Sequence, residues 1–184
     1  MMLWLNPTQA ETLVALARAG APREVCGVLL GSVSGEVTDT VPIANLATAP
    51  ERTFRMDERA LARALTSLPA SGLELLAFYH SHPANDPRPS ALDIAQAAYP
   101  DVAMVIIGLH PSPALTAWTV RYGEVTPIEI VISTAPPQAQ GFVWTRAAQI
   151  AVLIAIIGAV ALFMLIAFSL LPPAPQIPPT PIPR

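Results

Sequence analysis

The apolar positions of this chain repeat with two different periods, and each change of period marks a new element. In "PTQAETLVALARAG", residues 7–20, Leu13, Val14, Leu16 and Ala17 gather on one helical face, with Pro7 at an early position and Gly20 at the end. "EVCGVLLGSVSGEVTDTVPIAN", residues 24–45, predicts two strands joined at "SVSG", the first so continuously apolar that it belongs inside a sheet. A second amphipathic helix follows in "FRMDERALARALTSLPASG", with Asp57 near its start and Pro69 shutting it off. "LELLAFYH" is another buried strand and "SALDIAQAAYP" a short helix ended by Pro100. "VAMVIIGL" and "ALTAWTVRYGEVTPIEIVIST" supply the remaining strands. Helices and strands alternate without a regular crossover period, which predicts an α/β domain built as a mixed sheet flanked by helices.

One segment has no period at all. "AAQIAVLIAIIGAVALFMLIAFSLL", residues 147–171, carries no charge, and its only polar residues are Gln149 and Ser169 near the two ends. At helical rise it is long enough to cross about 30 Å of hydrocarbon. A helix apolar on every face must be enclosed on every side, and a chain of 184 residues can hardly enclose it. A single C-terminal transmembrane helix is therefore expected, and it explains a composition that is 53% hydrophobic and only 12% charged. The organisation that follows is a domain at residues 1–135 and a linker at 136–146, kept extended by the prolines of "APPQAQGF". The span at 147–171 comes next, then a proline-rich tail at 172–184, a spacer or a polyproline II segment by composition.

Charge refines this organisation. A formal net charge of -3 gives no nucleic-acid footprint, so no nucleic-acid partner is expected and membrane attachment rests on the span and not on a basic patch. Arg146 abuts the span on its N-terminal side while the tail has no charge before Arg184, which favours a cytoplasmic N-terminal domain. The opening residues have no signal-peptide core, since Asn6, Pro7, Gln9 and Glu11 interrupt them. Cys26 is the one cysteine and forms no internal disulfide, which suits a reducing compartment. Arginine without lysine reads as compositional bias, like the abundance of alanine and proline.

The chemistry lies in "AFYHSHPANDPRPSALDI", residues 77–94. Alternate strand residues share a face, so His80 and His82 can aim two imidazoles at one point while Ser81 faces away. A helix beginning at Ser90 and packed beside the strand end would bring the Asp93 carboxylate to the same point, giving two histidines, one carboxylate and an open fourth position, the catalytic kind of metal site. Ser90 and Asp93 are equally a helix N-terminus, with serine as the cap and the acid reaching back from the third helical position. Both readings stand at this point. A hydrolytic metal also needs a proton carrier that is not a ligand, and Glu24, the one acid at the entry of "VCGVLLG", is the candidate against a plain solvated strand-edge residue. His110 in "GLHPSP" has no partner at ligand spacing, and Cys26 reads as small buried packing.

A glutamate opening "EVCGVLLG", then "HSHP", then "SALD" in the spacing H-x-H-x7-S-x-x-D, resembles the JAMM (MPN-plus) zinc metalloprotease family. The likeness covers most of residues 8–132 and stops before the span. It implies an MPN/JAB-type fold with one zinc per chain held by His80, His82 and Asp93. It further implies that Glu24 acts as general base and then acid, and that Ser90 donates a hydrogen bond to the oxyanion. Members of this family cleave amide or isopeptide bonds at the C-terminus of ubiquitin or ubiquitin-like proteins, and the prokaryotic ones process ubiquitin-like modifiers or sulfur carriers. The chain looks like the compact prokaryotic form, with little room for the long insertions that grip ubiquitin chains. The expected partner is thus a small ubiquitin-like protein or its conjugates. The loop "PANDPRP" is also similar to that of the RadC-like branch, whose members are not expected to carry the N-terminal glutamate strand. A non-catalytic MPN-type scaffold at the membrane is the competing function; such scaffolds lose ligands or the glutamate, and this sequence keeps them all.

Overall fold

A hairpin turn that needs positive φ, two capped helices and a run of fully buried residues settle most of the architecture. The structure is a computed structural model and describes residues 2–84, 86–137 and 145–169. In chain order its elements are β1 (Met2–Leu5), α1 (Pro7–Gly20), β2 (Cys26–Gly31), β3 (Val37–Ile43), α2 (Glu58–Thr66), α3 (Leu68–Ser71), β4 (Glu74–His82), α4 (Ala91–Gln96), β5 (Ala103–Gly108), β6 (Ala114–Arg121), β7 (Glu124–Ile132) and α5 (Arg146–Ser169). Helix α1 starts where Asn6 and Gln9 exchange side-chain and backbone hydrogen bonds, both 2.9 Å. Helix α2 starts where the Asp57 carboxylate accepts from the amides of Arg59 and Ala60. Tyr122 and Gly123, both at positive φ, form the two-residue loop between β6 and β7.

The strands form one seven-stranded mixed sheet in the order β1-β7-β6-β5-β4-β2-β3. β2 lies inside it, between β4 and β3, and every one of its residues is buried, as its unbroken apolar run predicts. Helix α1 covers one face, where Leu13 and Ala17 pack with Leu5, Leu29, Tyr79 and Ile107. Helix α2 covers part of the other, where Leu61 and Ala64 meet Val28, Ile43 and Phe78. Alternation along β4 therefore sends Tyr79 to the α1 face and Phe78 to the α2 face. His80 and His82 lie two and four residues after Phe78 and emerge on that second face.

Three elements differ from the sequence expectation, one of them α4, which ends at Gln96, four residues before Pro100. β1 has no counterpart among the expected strands; its four residues pair in parallel with β7, from Met2 opposite Glu129 to Leu5 opposite Ile132. Pro69 does not terminate the second helix. α2 ends at Thr66, and Pro69 sits in the first turn of the short α3, where a missing N–H costs no helical bond.

Residues 1–137 and 138–184 form two separate units. In the second, Arg146–Ala167 is one helix long and apolar enough to cross a membrane. Of the expected segments, residues 138–144 of the linker, the end of the span at 170–171 and the whole tail at 172–184 lie outside the described residues.

Gly27 is one of two β2 glycines with no space for a side chain: a Cβ there would collide with the Val41 carbonyl oxygen and the Tyr79 ring. Gly27→Ala is expected to lower stability by about 1–3 kcal/mol through overpacking, measured by denaturant unfolding of the two proteins side by side.

Candidate metal centre

The two histidines are delivered by an interior strand end. His80 stands opposite Cys26 of β2 and Ile106 of β5, and His82 opposite Gly108 at the end of β5. Both side chains are buried and their Nε2 atoms are 3.1 Å apart. His82 Nδ1 lies 2.8 Å from the Asp86 carbonyl oxygen, so the proton belongs on Nδ1, where it donates to that oxygen and leaves the Nε2 lone pair facing His80. The loop that supplies this carbonyl is itself fastened, because the next carbonyl, that of Pro87, accepts from Trp118 Nε1 at 3.3 Å and from the Thr116 hydroxyl. Gly108 leaves room for it; a Cβ there would stand 3.0 Å from the Pro87 ring.

Helix α4 brings the carboxylate. Asp93 Oδ1 is 3.5 Å from His80 Nε2 and Oδ2 is 3.5 Å from His82 Nε2. The same Oδ2 accepts the Ser90 amide at 2.7 Å, while the Asp93 amide donates to Ser90 Oγ at 3.2 Å. Capping and convergence are thus one arrangement: the box that starts α4 also aims Asp93 at the histidines. Ser90 is exposed, and its oxygen accepts in the cap, so its hydroxyl proton is left to donate elsewhere.

One ligand atom from each of His80, His82 and Asp93 lies within 4.8 Å of the other two, placing the trio to hold a metal. The donor set suits a divalent cation. Two imidazole nitrogens facing each other beside a carboxylate need a proton or a cation among them, and two nitrogens with one oxygen is the open set that zinc takes. Burial pushes the His80 imidazole below its ordinary value despite Asp93. Burial also works to lower His82, but the bonds to Asp93 and the Asp86 carbonyl prevail and raise it. For Asp93 burial works upward and is outweighed by the two histidines and the Ser90 side chain, which hold the carboxyl well below the usual carboxylate range.

Glu24 sits just before β2, buried, with Oε2 making no hydrogen bond among the described residues. Burial pushes its carboxyl up to about 7, His82 opposes that and Asp93 adds to it, so Glu24 is electrostatically coupled to both without being one of the trio. Ser81, expected to face away from the histidines, does so and has work there: Ser81 Oγ accepts the Val25 amide and Ser81 N donates to the Val25 carbonyl, both at 2.9 Å. These bonds lock the residue after Glu24 to the residue between the histidines. Cys26 is packing, as its pattern suggests: its thiol donates to the Ile43 carbonyl at 3.4 Å and is pushed up to about 12 by burial, with Glu24 adding. His110 is exposed and outside the trio.

Sequence reasoning missed the wall of the site. Phe54 stacks on His80 with ring centroids 4.4 Å apart. Beside Asp93 runs a groove of about 650 Å³, lined among others by Phe54, Met56, Phe78, Tyr99 and Met104. Its residues come from the loop after β3, from β4, from the segment after α4 and from β5, so no local pattern announces it.

Three comparisons bear on this geometry. Residues 8–121 match the family model described as prokaryotic homologs of the JAB domain. A desampylase of Haloferax volcanii is 36% identical over 116 residues, 59% of this chain and 82% of that protein. A probable TtuB-protein conjugate cleaving protease of Thermus thermophilus is 40% identical over 98 residues, 53% of this chain and 64% of that protein. The solution structure of a protein from Desulfitobacterium hafniense is similar with a TM-score of 0.66 and 34% identity, covering 73% of this chain and 94% of the other.

The electrostatics of Glu24 give a signed expectation. Without metal its folded value of about 7 exceeds the ordinary 4.5, so the group favours the fold while protonated, and that contribution is lost as pH rises from 4.5 through 7. Chelated Glu24→Gln should therefore be more stable than the chelated parent at pH 8, by about 1–3 kcal/mol, with the gap closing toward pH 4 in thermal or denaturant unfolding.

Proposed function

The chain belongs to the family of prokaryotic homologs of the JAB domain, and from that premise we propose that it is a membrane-tethered zinc peptidase releasing ubiquitin-like or sulfur-carrier proteins from their conjugates. The observation that carries this reading is the convergence of His80, His82 and Asp93 beside the buried Glu24 carboxylate, whose Oε2 has no hydrogen-bond partner among the described residues. The names of the two relatives support a hydrolase acting on protein conjugates.

His80, His82 and Asp93 would hold one zinc ion per chain. When bound, zinc supplies a Lewis acid that polarises the scissile carbonyl and makes water a nucleophile near neutral pH. Glu24 takes the proton of the attacking water, which its buried position suits, and returns it to the leaving amine as the C–N bond breaks. The Ser90 hydroxyl donates to the oxygen that gains negative charge in the tetrahedral intermediate. His82 is kept in one tautomer by the Asp86 carbonyl, and Asp93 is oriented by the Ser90 amide. The groove lined by Phe54 and Tyr99 would receive the carrier's C-terminal tail, since it is mostly apolar and Asp93 forms part of its lining. Helix α5 would anchor the domain, and Arg146 at its start supports a cytoplasmic side for it.

Incubating the full chain in detergent with reporter fusions of small ubiquitin-like proteins tests the reaction. Release after the terminal glycine should be abolished by chelator and restored by zinc; Glu24→Gln should lose about 10²–10⁴-fold in kcat, and Ser90→Ala about 10²-fold with zinc retained. A folded chain that takes up no zinc and cleaves nothing would leave a binding scaffold in its place. For orientation, a tag at the C-terminus should be protected from added protease in sealed inside-out vesicles while the N-terminal domain is digested.

A further inference from the structure

Asn45, immediately after β3, uses every hydrogen-bonding position of its side chain. Its Nδ2 donates to the Glu24 carbonyl at 2.9 Å and to the Thr53 carbonyl at 3.1 Å, and its Oδ1 accepts the amides of Ala47 at 2.9 Å and Arg55 at 3.0 Å. Around this side chain residues 44–57 close on themselves. Asn45 bridges to Met56, the Leu46 amide donates to the Arg55 carbonyl at 2.7 Å, and the Asp57 amide donates to the Ala44 carbonyl at 3.0 Å.

The loop holds Glu24 from both sides of its peptide backbone. The Glu24 amide donates to the Pro50 carbonyl at 2.6 Å, and its carbonyl accepts from Asn45. The same loop carries Phe54, stacked on His80, and Met56, in the wall of the groove. A glutamate with no side-chain partner for Oε2 has its position set by its backbone, and here that backbone is tied to the loop that faces the groove.

We propose that Asn45 is a positioning residue for the peptidase reaction: it clamps Glu24 to the 44–57 loop, so that the proton carrier and the aromatic wall over His80 are set as one body. This rests on the role assigned to Glu24 above. The clamp does not involve the metal trio, whose side chains come from β4 and α4. A defect in it therefore separates from loss of the metal. It also ties placement of the proton carrier to the wall that a bound tail would press on.

Asn45→Asp, made in the full chain, tests the clamp by keeping an oxygen for the Ala47 and Arg55 amides while removing both N–H donors. The expected result with zinc bound is a kcat lower by about 10- to 100-fold, as for a slightly misplaced catalytic group. The loss should fall mainly on kcat, with any rise in KM from the loosened wall the smaller effect, and zinc content should be that of the parent. In the chelated protein, amide exchange should quicken at Glu24 and across residues 45–55 while β4 and β5 keep their protection. Parental kcat, or faster exchange spread through the sheet together with loss of zinc, would overturn the proposal. If the parent cleaves no fusion at all, the peptidase reading fails separately, and parental exchange at Glu24 in the variant would still overturn the clamp. Should Asn45→Asp not fold, Asn45→Ser carries the same readouts.

Discussion

Antiparallel pairing of β2 with β4 places Cys26 opposite His80, and that register brings a glutamate two residues before β2 next to an imidazole pair at the end of β4. A slip of one residue would turn every side chain of a strand to the opposite face. His80 and His82 would then point at the α1 core and Tyr79 and Ser81 at the groove. The register is protected by burial on both faces, with Leu29 and Tyr79 on one and Val28 and Phe78 on the other. It is protected again by the two hydrogen bonds between Ser81 and Val25. The geometry of the candidate metal centre thus rests on the same contacts that hold the core together.

The polar groups gathered there run against ordinary packing rules. Glu24 Oε2 and His80 Nδ1 are buried without a hydrogen-bond partner among the described residues, and burial raises the one group while lowering the other. Buried polar atoms without partners cost stability. A protein keeps such a cluster where reactivity needs it, and the surrounding structure compensates. Here the compensation is visible as backbone anchoring: Asp86 and Pro87 fix the loop after the histidines, the Ser90 box fixes Asp93, and the 44–57 loop fixes Glu24.

Much of this was legible in the sequence because it is local. The limits of α1 follow from Pro7, the apolar stripe and Gly20, and the buried β2 from its unbroken apolar run. His80, His82, Ser90 and Asp93 lie within fourteen residues, on a strand and a helix start whose periods fix where the side chains go. What could not be read depends on distant partners. β1 is four residues long and acquires meaning only beside β7, more than a hundred positions later. Asn45 looks like a strand-end residue until Glu24, Thr53 and Arg55 are seen around it. Phe54 reads as the lead-in to a helix, and its contact with His80 spans two helices and most of a strand. Pro69 misled because a proline closing one helix and a proline opening another look alike.

The shared use of Asp93 limits how the centre can evolve. One oxygen of its carboxylate starts α4 by receiving the Ser90 amide while the pair of oxygens faces the imidazoles. A thiolate at that position, the simple route to a softer cation, would leave the helix start without its acceptor and let the donor swing away from the histidines. The donor facing the imidazoles and the start of α4 are therefore fixed together, and changing that donor would require the entrance to α4 to be rebuilt in the same step.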